Sequence, residues 1–76
     1  MAKIRLTFTF NEEEVAQPII YNLGQQFNVA TNIRQANITD DGGWMDVELE
    51  GEEQNIEDGV AWAISRGVRV EDEAES

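Results

Sequence analysis

Ile4, Leu6, Phe8 and Phe10 alternate with Lys3, Arg5, Thr7 and Thr9 at the start of the chain. A period of two, carried largely by β-branched and aromatic residues, predicts a strand with one buried and one wet face. Asn11-Glu12-Glu13-Glu14 breaks the alternation. Pro18 suits the first turn of a helix, the acidic residues before it favour the helix's positive end, and Ile19, Ile20, Leu23 and Phe27 follow at helical spacing. A first helix is therefore expected to run to about Phe27.

Val29 to Ile38 reads as a second strand whose alternation slips. Thr31 and Ile33 share one face, while Ala36 and Ile38 continue the apolar pattern one residue out of phase. A β-bulge near Arg34-Gln35 reconciles the two arms. Asp40-Asp41-Gly42-Gly43 supplies a tight hairpin. In the strand after it, Met45, Val47 and Leu49 point inward, and Trp44, Asp46, Glu48 and Glu50 outward. Gly51 closes that strand. A second helix then carries Ile56, Val60, Ala63 and Ile64 as its apolar stripe, with Arg66 in its last turn and Gly67 at the C′ position. Val68 and Val70 open a last strand.

The order βαββαβ predicts an α+β, ferredoxin-like sandwich: a four-stranded antiparallel sheet, ordered 4-1-3-2, with two helices on one face and the other face open. Lys3 and Arg5 should then lie beside Glu50 and Glu48 across the first and third strands. Trp44 is expected on the open face, as an interface or ligand anchor or as a shield for the hairpin end. Trp62, beside the helical stripe, is expected to be part-buried. The segmentation gives a single domain over residues 1–71 and an acidic, disordered tail over 72–76.

Composition narrows the function. With 76 residues there is one domain, which buries about 60% of the surface of its unfolded chain. No apolar run approaches the roughly 18 residues of a membrane span, and Met1-Ala2-Lys3-Ile4-Arg5 leads into no signal-peptide core. A cytoplasmic protein without membrane insertion is expected. Five basic against sixteen acidic residues give a net charge of −11, a field that repels nucleic acid and suits solubility or a basic protein partner.

Cysteine and histidine are both absent, which removes thiolate chemistry, the commonest general base and the usual transition-metal ligands. The carboxylates fall on outward strand positions, helix starts and the tail. There water keeps them ionised, so no acid–base pair forms. Asp40-Asp41-Gly42-Gly43 lacks the ligand spacing of a calcium loop, and Asn37-Ile38-Thr39 is a glycosylation triplet without a secretory route. No catalytic residue, metal or cofactor is expected, and no enzyme.

The stretch Phe27-Asn28-Val29-Ala30-Thr31-Asn32-Ile33-Arg34-Gln35-Ala36-Asn37-Ile38 resembles the signature strand of NIL domains, whose Asn-Ile-Leu triplet is represented here by Asn32-Ile33-Arg34. Leu6-Thr7-Phe8, Pro18, Gly43-Trp44, Ala61-Trp62 and Gly67-Val68-Arg69-Val70-Glu71 extend the likeness over roughly residues 3–71. The resemblance implies a ferredoxin-like fold and a sensor role. In methionine importers such domains pair across two ATP-binding subunits and bind methionine, which slows transport. Other NIL domains are fused to ferredoxin modules.

Carried over residue by residue, the family's ligand-contacting asparagine falls on Asn32 and an apolar contact on Ile38. With Ile33, Arg34 and Ala36 they form the expected ligand-binding set, and Arg34 and Trp44 the expected interface residues. The sequence holds no ATP-binding domain, so sensing would be relayed to a separate partner. Arg34 puts a cation where the family has an apolar residue. It is either a partner for a ligand carboxylate or, more simply, a surface arginine answering the many acids.

Two functions follow. One is a regulatory homodimer binding a small amino acid, methionine foremost, at its interface. The other is an interaction module without a small ligand, docking through its sheet face or edge strand on an enzyme or transporter.

Overall fold

A computed structural model describes residues 1–15 and 18–72. Its elements are β1 (Ala2–Asn11), α1 (Glu12–Val15), α2 (Ile19–Phe27), β2 (Ala30–Thr39), β3 (Gly42–Gly51), α3 (Glu53–Ser65) and β4 (Arg69–Asp72). All strand pairs are antiparallel, and the sheet order β2-β3-β1-β4 is the expected 4-1-3-2 order taken from its opposite edge. Leu6, Phe8 and Phe10 of β1 and Val47 and Leu49 of β3 form the sheet's share of the core. Ile19, Ile20 and Leu23 of α2 and Ile56 and Ala63 of α3 close over them from one side. Full burial of each large side chain contributes about 1.5–3 kcal/mol, so these few residues supply most of what holds the domain together.

Local chemistry sets the element ends. In α3 the amide of Gly67 donates to Ile64 and that of Val68 to Ala63, with Gly67 at φ 95°. This is the Schellman arrangement, in which a glycine satisfies the last carbonyls at no side-chain cost. Asn28 takes the corresponding left-handed position after α2, at φ 56°, and the Val29 amide donates to Gly24. In the hairpin the Thr39 hydroxyl donates to the Gly42 carbonyl and accepts from the Asp41 amide, while Gly42 adopts φ 138°.

Several expectations need correction. Glu12–Val15 forms a one-turn helix of its own, where a simple break in the pattern was expected. Pro18 is the residue before α2 rather than inside its first turn. Its carbonyl still accepts the Asn22 amide. Arg66 caps α3 and lies just outside its last turn. Asp72 pairs with Leu6 in β4, so the strand takes one residue assigned to the tail; residues 73–76 lie outside the described residues.

Ile4 and Ile64 have the expected phase but not the expected burial, at 37% and 54% exposed. Among the described residues, β4 pairs with Leu6 to Thr9. Ile64 sits at the margin of a stripe that buries Ile56, Gly59 and Ala63 instead. Gly59 is what lets the helices close: a Cβ there would stand 3.1 Å from Leu23 Cδ2. Phe27 and Trp62 meet beside this contact, ring centroids 5.9 Å apart, and the Arg66 guanidinium lies 4.9 Å over the Trp62 ring. Trp62 is part-buried, as expected.

The open face is polar and partly paired with itself. Lys3 faces Glu50 and Arg5 faces Glu48 in the register, with Arg5 Nε 3.7 Å from Glu48 Oε2. The Thr7 hydroxyl donates to Asp46 at 2.7 Å. Exposed ion pairs contribute about 1 kcal/mol at most, so they fix register more than they stabilise. They leave a chain of net charge −11 largely uncompensated. Raising sodium chloride from near zero to about 0.3 M is accordingly expected to lift the melting temperature by a few degrees, as screening relieves self-repulsion. Differential scanning calorimetry checks this; a falling midpoint would mean local compensation outweighs the net field.

Candidate functional site

All five residues expected to contact a ligand lie on β2, an edge strand of the sheet. Only Thr31 among its ten residues is even half-buried. The exposure follows from lengths. A nine-residue helix such as α2 spans roughly 13 Å, whereas a ten-residue strand such as β2 spans roughly 33 Å. α2 therefore covers only the start of β2, where Gly24 abuts Thr31.

The expected bulge is present. Ile33 pairs with Val47 and Gln35 with Asp46, consecutive residues of β3, so Arg34 is the extra residue. The phase of the strand flips there. Thr31, Ile33, Ala36 and Ile38 stand opposite Leu49, Val47, Met45 and Gly43, on the helix side of the sheet. Ala30, Asn32, Gln35 and Asn37 stand opposite Glu50, Glu48, Asp46 and Trp44, on the open side.

The candidate site is thus split within one chain. Ile33, Ala36 and Ile38 make an apolar row, with Ile33 54% and Ile38 39% exposed. Asn32 lies on the opposite face, and Arg34 sits at the junction. Arg34 has no ion pair among the described residues.

Trp44 is on the open face, between Thr9 and Asn37, as expected. It is half-buried rather than projecting and walls a shallow hollow of about 340 Å³ shared with Asn37, Asp41 and the glycines Gly42 and Gly43. It is on β3, one strand in from the β2 edge. The expected interface residues Arg34 and Trp44 are therefore on neighbouring, paired strands.

Gly24 and Gly43 also position the site, a role that was not expected of either. A Cβ at Gly24 would lie 2.9 Å from the Val29 carbonyl oxygen, and one at Gly43 would lie 2.7 Å from the Ile38 Cα. Both glycines allow β2 to approach its neighbours closely. A glycine facing the start or end of an edge strand was the available signal.

No helix in the described residues is long and apolar enough to cross a membrane. Nor does any group of three or more acidic side chains among them come together to hold a metal ion.

The NIL domain family matches residues 4–72, which takes in all four strands except the first two residues of β1, and the whole of β2. The chain belongs to the NIL domain family. Among solved structures, this NIL domain is similar to the C-terminal domain of an ABC transporter, ATP-binding protein, from Enterococcus faecalis. The TM-score is 0.84 at 27% identity, over 96% of this chain and 86% of that one. The de novo designed protein Ferredog-Diesel shares the fold alone, at a TM-score of 0.53 and 17% identity over 92% of this chain and 84% of its own. Among curated proteins there is no match to this NIL domain.

Proposed function

We propose that this NIL domain is a non-catalytic regulatory module that binds a small amino acid, methionine foremost, at a seam between two copies of β2. The observation that carries the proposal is the state of that strand: it holds the family's triplet at its bulge and is an exposed edge along its length. Natural sheet edges are blunted by lysine, proline or covering segments. β2 has neither lysine nor proline, and the helix layer leaves Ile33 and Ile38 in water. Each apolar row is too small to enclose a ligand, but two rows brought side by side across a two-fold axis offer an apolar side chain one continuous surface. The likeness to a C-terminal domain of a transporter ATP-binding protein supports a regulatory role exercised on a partner.

The alternative of docking through the open sheet face draws less support, because that face is a polar surface engaged in Arg5–Glu48 and Thr7–Asp46 contacts. Isothermal titration calorimetry with L-methionine tests the proposal directly. Saturable heat is expected, and Asn32→Ala should weaken binding about tenfold, the usual scale for one well-made polar contact. Absence of heat with methionine and related amino acids would overturn the ligand-binding reading and leave the docking module.

A further inference from the structure

The bulge that splits the candidate site also makes β2 complementary to itself. Directly opposed residues of an antiparallel ladder share a sheet face. A two-fold axis passing between Arg34 and Gln35 sets Ala30 against Thr39 of a second copy, Thr31 against Ile38, Asn32 against Asn37, and Ile33 against Ala36. In every one of these pairs both residues belong to the same side of the sheet, because the bulge reverses the phase between the two arms. A slip of one residue would oppose unlike faces, placing Asn32 against Ile38. This register also uses the whole strand, from Ala30 to Thr39. The apolar residues Ile33, Ala36 and Ile38 of both copies then line one side of the seam, and Asn32 and Asn37 of both line the other.

The same axis brings the two Arg34 residues together at the centre of the seam. It sets each Arg34 against Gln35 of the other copy, so the two guanidiniums are diagonal neighbours across the axis, close enough for their like charges to weaken the pair. Arg34 makes no ion pair among the described residues that would neutralise it, although the chain carries sixteen acidic residues. A guanidinium's planar fork of donors matches a carboxylate in bidentate fashion. We infer that Arg34 recognises the carboxylate of the bound amino acid, one ligand to each Arg34, and that the anion thereby latches the dimer. Without the carboxylate, two cations oppose closure of the seam; with it, each is paired. Ligand binding and association are then one linked equilibrium, since the ligand stabilises only the form that completes its site.

This inference rests on the proposed seam, and its test separates the two. L-Methionine and L-methioninamide share a side chain and an amine and differ in the carboxylate. Each is titrated calorimetrically into the wild-type domain, Arg34→Leu and Arg34→Gln, and sedimentation equilibrium is run with and without each compound. Because Arg34 is exposed at an edge, both variants are expected to fold, which circular dichroism verifies.

For the wild type, methionine should bind about tenfold or more tighter than its amide, the scale of a charge-assisted hydrogen bond, and should tighten dimerisation. In Arg34→Leu the preference should collapse, and dimerisation should be stronger than in the ligand-free wild type. Equal binding of both compounds by the wild type, or an undiminished preference in both variants, would overturn the role of Arg34 while leaving the amino-acid seam intact. Silence from the wild type and both variants with both compounds would remove the seam's ligand, and the inference with it.

Discussion

Phe8→Ala is expected to cost about 3–5 kcal/mol, a large share of what holds the domain together. Phe8 is 0% exposed and lies at the middle of β1, opposite Met45 of β3 and Val70 of β4. Removing its ring opens a void beneath both helices, and neighbours fixed in two strand ladders cannot move in to fill it. Globular domains retain about 0.05–0.15 kcal/mol per residue, so a chain of this length has about 4–11 kcal/mol in all. Urea denaturation followed by tryptophan fluorescence measures the loss. The matching change Ile64→Ala, at a residue 54% exposed, should cost less than about 1 kcal/mol. A Phe8→Ala domain within about 1 kcal/mol of wild type would mean the core can collapse around the missing ring.

The contrast between Phe8 and Ile64 shows what a hydrophobic pattern carries. Periodicity tells which way a residue points, because side-chain direction is fixed by strand and helix geometry. Ile4 and Ile64, two of the four exposed isoleucines, have the phase expected of them. What the pattern does not carry is the reach of the covering element. Ile33 and Ile38 are exposed because α2 is shorter than β2. The bulge was legible because it leaves a local mark, an apolar alternation that changes phase between Ile33 and Ala36. The one-turn α1 was not, since four residues hold too few apolar positions to show a period. Gly59 left a mark that a list of hydrophobic residues overlooks. Its spacing of three from Ile56 and four from Ala63 places it in the buried stripe, where its missing side chain admits Leu23. For the candidate site, all five residues were assigned to the correct strand. Their grouping as one ligand-contacting set came from the family resemblance, which says nothing of faces. The phase reversal at Arg34 puts Asn32 and Ile38 on opposite sides of the sheet, and the two-fold register extends each side separately, the apolar row on one face and the asparagines on the other.

Ile33→Lys should disrupt the proposed β2 seam without harming the fold, weakening self-association about 100-fold. In the two-fold register Ile33 faces Ala36 of the second copy, one position from Arg34, so a single substitution alters the seam twice. Each copy loses the burial of a half-exposed isoleucine, about 1 kcal/mol, and gains a cation next to the two guanidiniums already there. A sum near 2.7 kcal/mol corresponds to two powers of ten in the dissociation constant. Lysine is also the residue by which natural sheets keep their edges apart. In the monomer the cost should be small, because Ile33 is already 54% exposed and a lysine there can keep its charge in water. Ile64→Lys is a matched control: the same residue type, the same 54% exposure, but on α3 rather than on the seam strand. Sedimentation equilibrium across the micromolar range, with L-methionine present throughout, compares the wild type with both variants. Urea denaturation of each confirms that they fold alike. The expected result is a dimeric wild type, a dimeric Ile64→Lys and a monomeric Ile33→Lys. If Ile64→Lys were instead the variant that dissociates, the copies would meet through the helix layer, and β2 would be an edge left for some other chain.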